Sequence, residues 1–280
     1  MSLLLHLSDP HFGTEQPDVR RALLRLAHDL KPDVAILSGD ITQRARAAQF
    51  AAARVFCDEL RVPRLLTLPG NHDIPLFNVL ARAFDPYGGY RRAFGDDLEP
   101  EFSGDDLLVV GVNTTRPHRH KDGEVSPGQV ERVCRRLATA RRQQLRVVVT
   151  HQPACVMRED DEKDRLHGGH EAVQAWSNAG ADLVLGGHIH LPYLTDVCAR
   201  VKGTSRPMFC LQAGTALSHR LRHGTPNSVN VVKWSAPGAG EPRTCLAARW
   251  DYDVADDRFE CTHEHRLQLA DQPLQASPAR

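Results

Sequence analysis

The stretch Leu-Leu-Thr-Leu-Pro-Gly-Asn-His-Asp at residues 65–73 joins a mostly apolar run to a glycine and three polar side chains. A short run such as Leu65–Leu68 is typical of a strand that is buried on both faces. Gly70 permits a tight turn directly after the strand, where a residue with a Cβ atom would be strained. Asn71 and His72 therefore stand at the end of a predicted strand, with oxygen and nitrogen donors to offer.

The same arrangement, an apolar run followed by polar side chains, recurs along the first two-thirds of the chain. Helical periodicity between the runs indicates βαβ crossovers. Because the carboxyl ends of parallel strands meet at one edge of an open α/β sheet, side chains distant in sequence can converge there. The polar residues that follow the runs are Asp9 and His11, Asp40, Asn71 and His72, His151, and His188 and His190.

The chemistry of these side chains favours metal ions. Aspartate, asparagine and histidine suit hard to borderline divalent cations such as Mn, Fe or Zn, and the set contains no thiolate. Even without His72, two carboxylates, one amide and four histidines are too many ligands for one tetrahedral ion, but they are enough for two ions that share a bridging carboxylate. The pattern therefore predicts two divalent metal ions.

The remaining pattern predicts helices between the strands and a different organisation towards the C-terminus. From about Tyr193 onward, strand-like pieces separated by turns predict a second, mostly antiparallel sheet. We expect one domain over residues 1–268, with a lid insertion at 77–104 and a flexible tail at 269–280. The predicted inward helix faces are Val19, Leu23, Leu26, Ala27 and Leu30; Ala48, Ala51, Ala52, Val55 and Phe56; and Val130, Val133, Cys134 and Leu137, the last after a capping box at Ser126.

Composition narrows the class of protein. Of 280 residues 41% are apolar and 25% charged, which is ordinary for a folded chain and excludes collagen-like or disordered sequence. Lys plus Arg equals Asp plus Glu at 35 each, so we expect no long nucleic acid as partner and a small substrate instead. No apolar run reaches the roughly 20 residues of a transmembrane segment. The seven cysteines are odd in number and scattered, so we do not expect a disulfide framework. We expect instead that the protein is located in a reducing cytoplasm.

Five blocks of residues, in order, resemble the calcineurin-like metallophosphoesterases. The resemblance implies an α/β fold, a four-layer αββα sandwich of two mixed β-sheets flanked by helices, with the metal site at the carboxyl ends of the strands. It also implies a metal-dependent phosphoric ester hydrolase. The blocks are Asp9-Pro10-His11, Gly39-Asp40, Gly70-Asn71-His72-Asp73, His151 and Gly187-His188-Ile189-His190.

The resemblance also implies a role for each residue of the site. Asp9, His11 and His190 would bind one metal, and Asn71, His151 and His188 the other. Asp40 would bridge both.

His72 is not a metal ligand in this resemblance. It would donate a proton to the leaving group or face the phosphoryl oxygens, with Asp73 orienting its imidazole. A metal-bridging hydroxide would attack the phosphorus in line.

The substrate is the least determined part of the prediction. The chain departs from the protein-phosphatase pattern and is most similar to the class III cyclic nucleotide phosphodiesterases and glycerophosphodiesterases, although Gln43 replaces an aspartate frequent there. We expect hydrolysis of a small phosphodiester such as cyclic AMP. The alternatives are a UDP-diacylglucosamine pyrophosphatase of lipid A synthesis and a non-catalytic scaffold of the same fold. The native metal pair and a homodimer are left open.

Two further segments bear on the substrate. Residues 77–102 hold four of the nine Phe and two of the four Tyr, either as a small core under an insertion or as a lid that grips a nucleobase or an acyl chain. The basic run 116–121 is interpreted as a solvated loop. Gly214, Thr215, Ser218, His219 and Arg220 follow another predicted strand and could line the pocket.

Overall fold

The computed structural model describes residues 1–204, 206–222 and 224–271. The strands are β1 (Ser2–Leu7), β2 (Val34–Ser38), β3 (Arg64–Leu68), β4 (Glu101–Ser103), β5 (Leu107–Gly111), β6 (Leu145–Val149), β7 (Leu183–Gly186), β8 (Tyr193–Asp196), β9 (Phe209–Gln212), β10 (Ser228–Trp234), β11 (Arg243–Asp253) and β12 (Arg258–Leu269). The helices are α1 (Pro17–Leu30), α2 (Ala47–Glu59), α3 (Val79–Phe84), α4 (Gly88–Phe94), α5 (Pro127–Ala138) and α6 (Gly169–Ala179), with short 3₁₀ helices at Asn71–Asp73 and Glu159–Asp164.

The strands form two mixed sheets of six strands each. The first has the order β12-β11-β10-β1-β2-β3, and the second has the order β4-β5-β6-β7-β9-β8. Strands β1, β2 and β3 run parallel, as do β5, β6, β7 and β9. The parallel strands therefore form one half of the first sheet, with β3 at its edge, and the middle of the second sheet, and their carboxyl ends share one edge of the molecule.

The core has three layers because each buried strand offers side chains to both faces. In β1, Leu4 belongs to the cluster between the sheets, whereas Leu5 belongs to the cluster under α1 and α2. The third cluster joins Val148 and Val184 of the second sheet to α5 and α6. Helices thus cover the outer face of each sheet, which confirms the αββα sandwich.

The expected separate antiparallel sheet at the C-terminus is wrong. Strand β10 pairs antiparallel with β1, so that β10, β11 and β12 extend the first sheet. Strands β8 and β9 belong to the second sheet, where β9 is parallel to β7. Local patterns reported the strand character correctly, but they carry no information about the edge that a strand joins.

The predicted inward face of α2 is also wrong. Apolar residues lie on most sides of α2, and alanines on several of these sides do not indicate which face is buried. The aromatic side chains fix the orientation instead, since Phe50 and Phe56 are buried and Val55 is exposed. Helices α1 and α5 begin with proline, and α5 has the predicted capping box at Ser126.

The segment predicted as a lid insertion divides into two parts. Tyr90 of α4 is fully buried and packs against Phe94. Its hydroxyl donates a hydrogen bond to the Thr67 carbonyl at 2.7 Å. Helix α3, in contrast, has no buried residue. The second part thus contributes to the core, and the lid stays a prediction for the first part.

The predicted C-terminal boundary stays a prediction. Leu269 is the last residue of β12, and the Ala270 carbonyl accepts a hydrogen bond from Arg243 at 2.7 Å. The rest of the predicted flexible tail, residues 272–280, lies outside the described residues. Among the described helices, none combines the length and the apolar character that a membrane crossing requires.

Candidate dinuclear metal centre

The loops after the central strands hold five candidate ligands in left-handed backbone. Non-glycine residues rarely adopt positive φ, and such strain concentrates at functional sites. The sharp turns aim the side chains into one crevice. The φ angles are 52° for Asp9, 45° for His11, 48° for Asp40, 72° for His188 and 55° for His190.

Two glycines allow these loops to approach one another. A Cβ atom on Gly39, whose φ is +101°, would lie 2.4 Å from His151 Nδ1. A Cβ atom on Gly70 would lie 2.0 Å from the backbone nitrogen of Asp40. Both distances are too short for real contacts, so the glycines are required by the packing of the ligand loops.

Asp9, His11 and His190 form the first cluster. His11 Nε2 and His190 Nε2 lie 3.0 Å apart, and Asp9 Oδ1 lies 3.2 Å from His190 Nε2. All three side chains are buried, and their potential ligand atoms lie within 4.8 Å of one another. This geometry could hold one metal ion.

Asp40, Asn71, His151 and His188 meet on the other side of the crevice. Asp40 Oδ1 lies 3.2 Å from His151 Nε2, and Asn71 Oδ1 lies 3.2 Å from the same nitrogen. The second oxygen, Asp40 Oδ2, lies 3.8 Å from His11 Nε2 in the first cluster. Asp40 thus turns one carboxylate oxygen towards each cluster, as a bridging ligand would.

Backbone carbonyls fix the tautomers of two histidines. His190 Nδ1 donates to the Arg220 carbonyl at 2.6 Å, and His151 Nδ1 donates to the Ser38 carbonyl at 2.8 Å. A carbonyl can only accept, so Nδ1 carries the proton in both rings. Their Nε2 atoms are then free to bind a metal, which is the arrangement found at most protein metal sites.

The electrostatics hold the two carboxyls and the His11 and His188 imidazoles in their metal-binding forms, whereas a metal ion must displace a proton from His151. Burial opposes charge on both carboxyls, yet neighbouring histidines hold the pKa values of Asp9 and Asp40 below their usual range. Burial lowers the pKa of His11 to about 3 and that of His188 to about 4. For His151 burial also works against charge, but the Asp40 carboxylate raises its pKa to about 9. Ionised carboxylates and neutral imidazoles are the forms that bind metals.

Two unpartnered atoms test whether the site fits metal ions. Asp9 Oδ1 and His188 Nδ1 are buried, and neither has a hydrogen-bond partner among the residues that the structure describes. Such a group ordinarily costs about 1–3 kcal/mol. One of the two atoms belongs to each cluster, so a divalent cation in each would satisfy them. The donor set therefore fits two metal ions.

His72 lies at the mouth of the crevice. Its Nδ1 lies 2.9 Å from the Gln43 carbonyl, which leaves Nε2 pointing into the site, 4.0 Å from Asp40 Oδ2. The expectation that Asp73 orients this imidazole is wrong. The Asp73 carboxylate instead accepts hydrogen bonds from the backbone of the ligand loops, at Ile41 N (3.0 Å), Thr42 N (2.7 Å) and Gly70 N (2.8 Å).

Two cavities meet at His72. The smaller, of about 280 Å³, contains the candidate ligands Asp40 and His188. The larger, of about 570 Å³, has an apolar wall of Ile74, Leu76 and Phe77 facing Arg44, Gln43 and His120. Asn71, His72 and Lys121 line both cavities.

The basic run 116–121 is a solvated loop only in part. Arg119 forms an ion pair with Glu124 at 3.0 Å, as expected of a surface loop. Lys121, however, lines both cavities and pairs with Asp164 at 2.7 Å. Its position next to the site could not be predicted from the run of charge alone.

Residues around the ligands complete the site. Ser8 Oγ donates to Asp9 Oδ2 at 2.6 Å, and the backbone nitrogen of His188 donates to the same oxygen at 2.8 Å. Thr215, from the loop after β9, donates to the Asp9 carbonyl at 2.6 Å. Sequence reasoning missed Ser8, although its place beside Asp9 at a strand end was a usable signal.

Comparisons with known proteins agree with this geometry. The model of the calcineurin-like phosphoesterase family matches residues 3–192, more than half of the chain. The glycerophosphodiester phosphodiesterase GpdQ of Enterobacter lignolyticus (strain SCF1) is 35% identical over 82 residues, which cover 25% of this chain and 29% of that protein.

Solved structures agree on the fold. The purple acid phosphatase PPD1 of yellow lupin (Lupinus luteus) superposes with a TM-score of 0.69 at 12% identity, over 100% of this chain and 57% of the phosphatase. The protein TT1561 of Thermus thermophilus has a TM-score of 0.50 at 12% identity, over 94% of this chain and 98% of that protein. At such identity the likeness concerns the fold alone. The family match over residues 3–192 shows that the chain belongs to the calcineurin-like phosphoesterase family.

Proposed function

We propose that the protein is a phosphodiesterase that uses two divalent metal ions to hydrolyse a small diester. The observation that carries the proposal is the position of Asp40, with one carboxylate oxygen towards each cluster of ligand atoms. Asp9, His11 and His190 would hold one ion, and Asn71, His151 and His188 the other. Mn, Fe and Zn suit this mixture of oxygen and nitrogen donors.

The division of labour follows from the donors. When bound, the two ions activate a water molecule and stabilise the negative charge of the transition state. His72 would supply the proton for the leaving oxygen from Nε2 as an imidazolium, whose Nδ1–H donates to the Gln43 carbonyl. Asp73 ties the Asp40 and Asn71 loops together through backbone amides and so positions the site.

The shape of the pocket supports a diester with a substantial leaving group. The larger cavity begins at His72, so the group that receives the proton extends into it. A cavity of about 570 Å³ has room for a nucleoside. Arg44 lies over the Phe77 ring, 5.3 Å from its centroid, and offers a flat surface on which a base can stack. A cyclic nucleotide such as cyclic AMP is therefore our first candidate substrate.

Metal dependence tests the proposal. Chelation should abolish the hydrolysis of bis-p-nitrophenyl phosphate, and added Mn should restore it. Hydrolysis that is indifferent to chelator would contradict the mechanism. Absence of hydrolysis in fully metal-loaded protein would favour a scaffold of the same fold, although the complete ligand set argues against one.

A second candidate function is favoured by the surface of α3. Leu76 and Phe77 line the larger cavity, and they are exposed, as are Val79, Leu80 and Phe84 of α3. These five residues are called the apolar ridge. A ridge of this kind suits an acyl chain, so a UDP-diacylglucosamine-type pyrophosphatase is the alternative. Turnover of cyclic AMP and of a diacylated UDP-sugar, measured on one preparation, separates the two. Preference for the diacylated substrate would replace the cyclic nucleotide proposal.

We also propose a reducing, cytoplasmic location. All seven cysteines are free in the structure, and most are buried among apolar residues. Free thiols of this number are typical of proteins that fold in a reducing compartment.

A further inference from the structure

Arg220 reaches the mouth of the metal centre from outside the part of the chain that the family model matches. It lies in the loop after β9, whereas the match ends at residue 192. Its Nη1 lies 3.2 Å from His72 Nε2 and 3.3 Å from Gln43 Oε1. The same atom lies 3.4 Å from both ring nitrogens of His11. A guanidinium group therefore occupies the space between the proton donor and the first cluster.

The backbone holds this arginine in place. The amide of Arg220 donates to Ser218 Oγ at 3.2 Å, and Ser218 Oγ lies 2.8 Å from Thr215 Oγ1. The Arg220 carbonyl accepts the hydrogen bond that fixes His190. The direction of the side chain is thus set by the same loop that supports the ligands.

The guanidinium has no negative partner in the part of the chain that the structure describes. Its contacts there are the Gln43 amide oxygen and imidazole nitrogens, and it takes part in none of the ion pairs. Arg222, two residues later, shows the contrast, because it pairs with Asp161. Ions bound to Asp9 and Asp40 would add further positive charge next to Arg220. An anion is needed to balance this arrangement.

We propose that Arg220, beside His72, binds the phosphoryl group of the substrate and of the phosphate product. The proposal rests on the proposed function, because it assigns the anion as the phosphoryl group held at the metal centre. A guanidinium donates in a fixed fork that matches phosphate oxygens, and such charge-assisted bonds are strong. Gln43 positions the fork without neutralising it. A carboxylate at position 43 would instead compete with the phosphate for Arg220.

Phosphate binding tests the site directly. Inorganic phosphate is titrated into Mn-loaded protein by calorimetry, and metal content is measured in parallel. Arg220→Met should weaken phosphate binding about ten-fold or more, and Arg220→Lys should weaken it less. The matched control is Arg54→Met on α2, which removes an exposed arginine that pairs with Asp58 and should leave affinity unchanged. Affinity of Arg220→Met within about two-fold of the natural protein would overturn the proposal.

A second variant keeps the proposal testable if Arg220→Met loses metal. Gln43→Glu leaves Arg220 and the Gln43 backbone carbonyl in place and adds a carboxylate near Nη1. It should weaken phosphate binding several-fold at full metal content, and phosphate affinity that is unchanged would overturn the proposal. Because calorimetry needs no turnover, phosphate binding through Arg220 without hydrolysis would contradict the proposed function and not this site.

Discussion

The ligand loops and helix α3 lie side by side but are built in opposite ways. The ligands are buried, several adopt strained backbone, and Asp73 alone ties three amides of their loops. Helix α3 and the residues before it expose Phe77 to 78% and Phe84 to 85%. The loops are organised before any ligand arrives, whereas the apolar ridge has surface that only a ligand or partner would cover. Chemistry and substrate choice are therefore carried by different regions.

Removal of the shared ligand should give the largest effect. Asp40→Asn takes charge from both clusters at once, so we expect kcat/KM on bis-p-nitrophenyl phosphate to fall by roughly 10³-fold or more. Asp58→Asn, an exposed aspartate on α2, is the matched control and should change little. A loss below about ten-fold would mean that Asp40 does not join the two clusters.

Loss of the proton donor should be nearly as damaging but should spare the metals. His72→Ala should lower kcat by roughly 10²–10⁴-fold on an alkyl diester, and less on bis-p-nitrophenyl phosphate, whose leaving group needs no proton. The metal content should stay unchanged. The atoms of His11, Asp40 and His72 could also hold an ion, so a variant that loses metal would make His72 a ligand and our division of roles wrong.

The organisation of the loops can be tested through stability. Asp73→Ala leaves several buried backbone amides and the Thr42 hydroxyl without their acceptor, so the free energy of unfolding should fall by about 2–4 kcal/mol. Denaturant unfolding measures this loss. A decrease under about 1 kcal/mol would show that the loops do not depend on Asp73.

Substitutions in the apolar ridge should affect substrate binding and leave stability nearly unchanged. Because Phe77 is largely exposed, Phe77→Ser should change stability by no more than about 0.5 kcal/mol. It should raise KM for the physiological substrate while kcat on bis-p-nitrophenyl phosphate stays near normal. Val254→Ser removes a side chain that is 82% exposed at the turn between β11 and β12, and it serves as the control. Equal effects of the two substitutions would remove α3 from substrate binding.

The same contrast explains what could be predicted from sequence. The proximity of Asp9, Asp40 and His188 could be predicted, because each follows a buried parallel strand and the carboxyl ends of parallel strands lie at one edge of a sheet. The hydrogen-bond partner of His72 could not be predicted, because it is the backbone carbonyl of Gln43 and every type of residue has such a carbonyl. Local sequence patterns could not predict that β10 pairs with β1, because the two strands are far apart in the sequence. Periodicity likewise predicted the strands and helices, but it could not predict which aromatic residues of 77–102 are buried in the core.

The metal stoichiometry of the protein decides whether Asp40 joins two ions in one centre. Purified protein is stripped with chelator, reconstituted with Mn, freed of excess metal and measured by inductively coupled plasma mass spectrometry against protein concentration. We expect two equivalents per chain, and at most one tightly held equivalent in the Asp40→Asn variant. One equivalent or less in the natural protein would contradict the dinuclear centre.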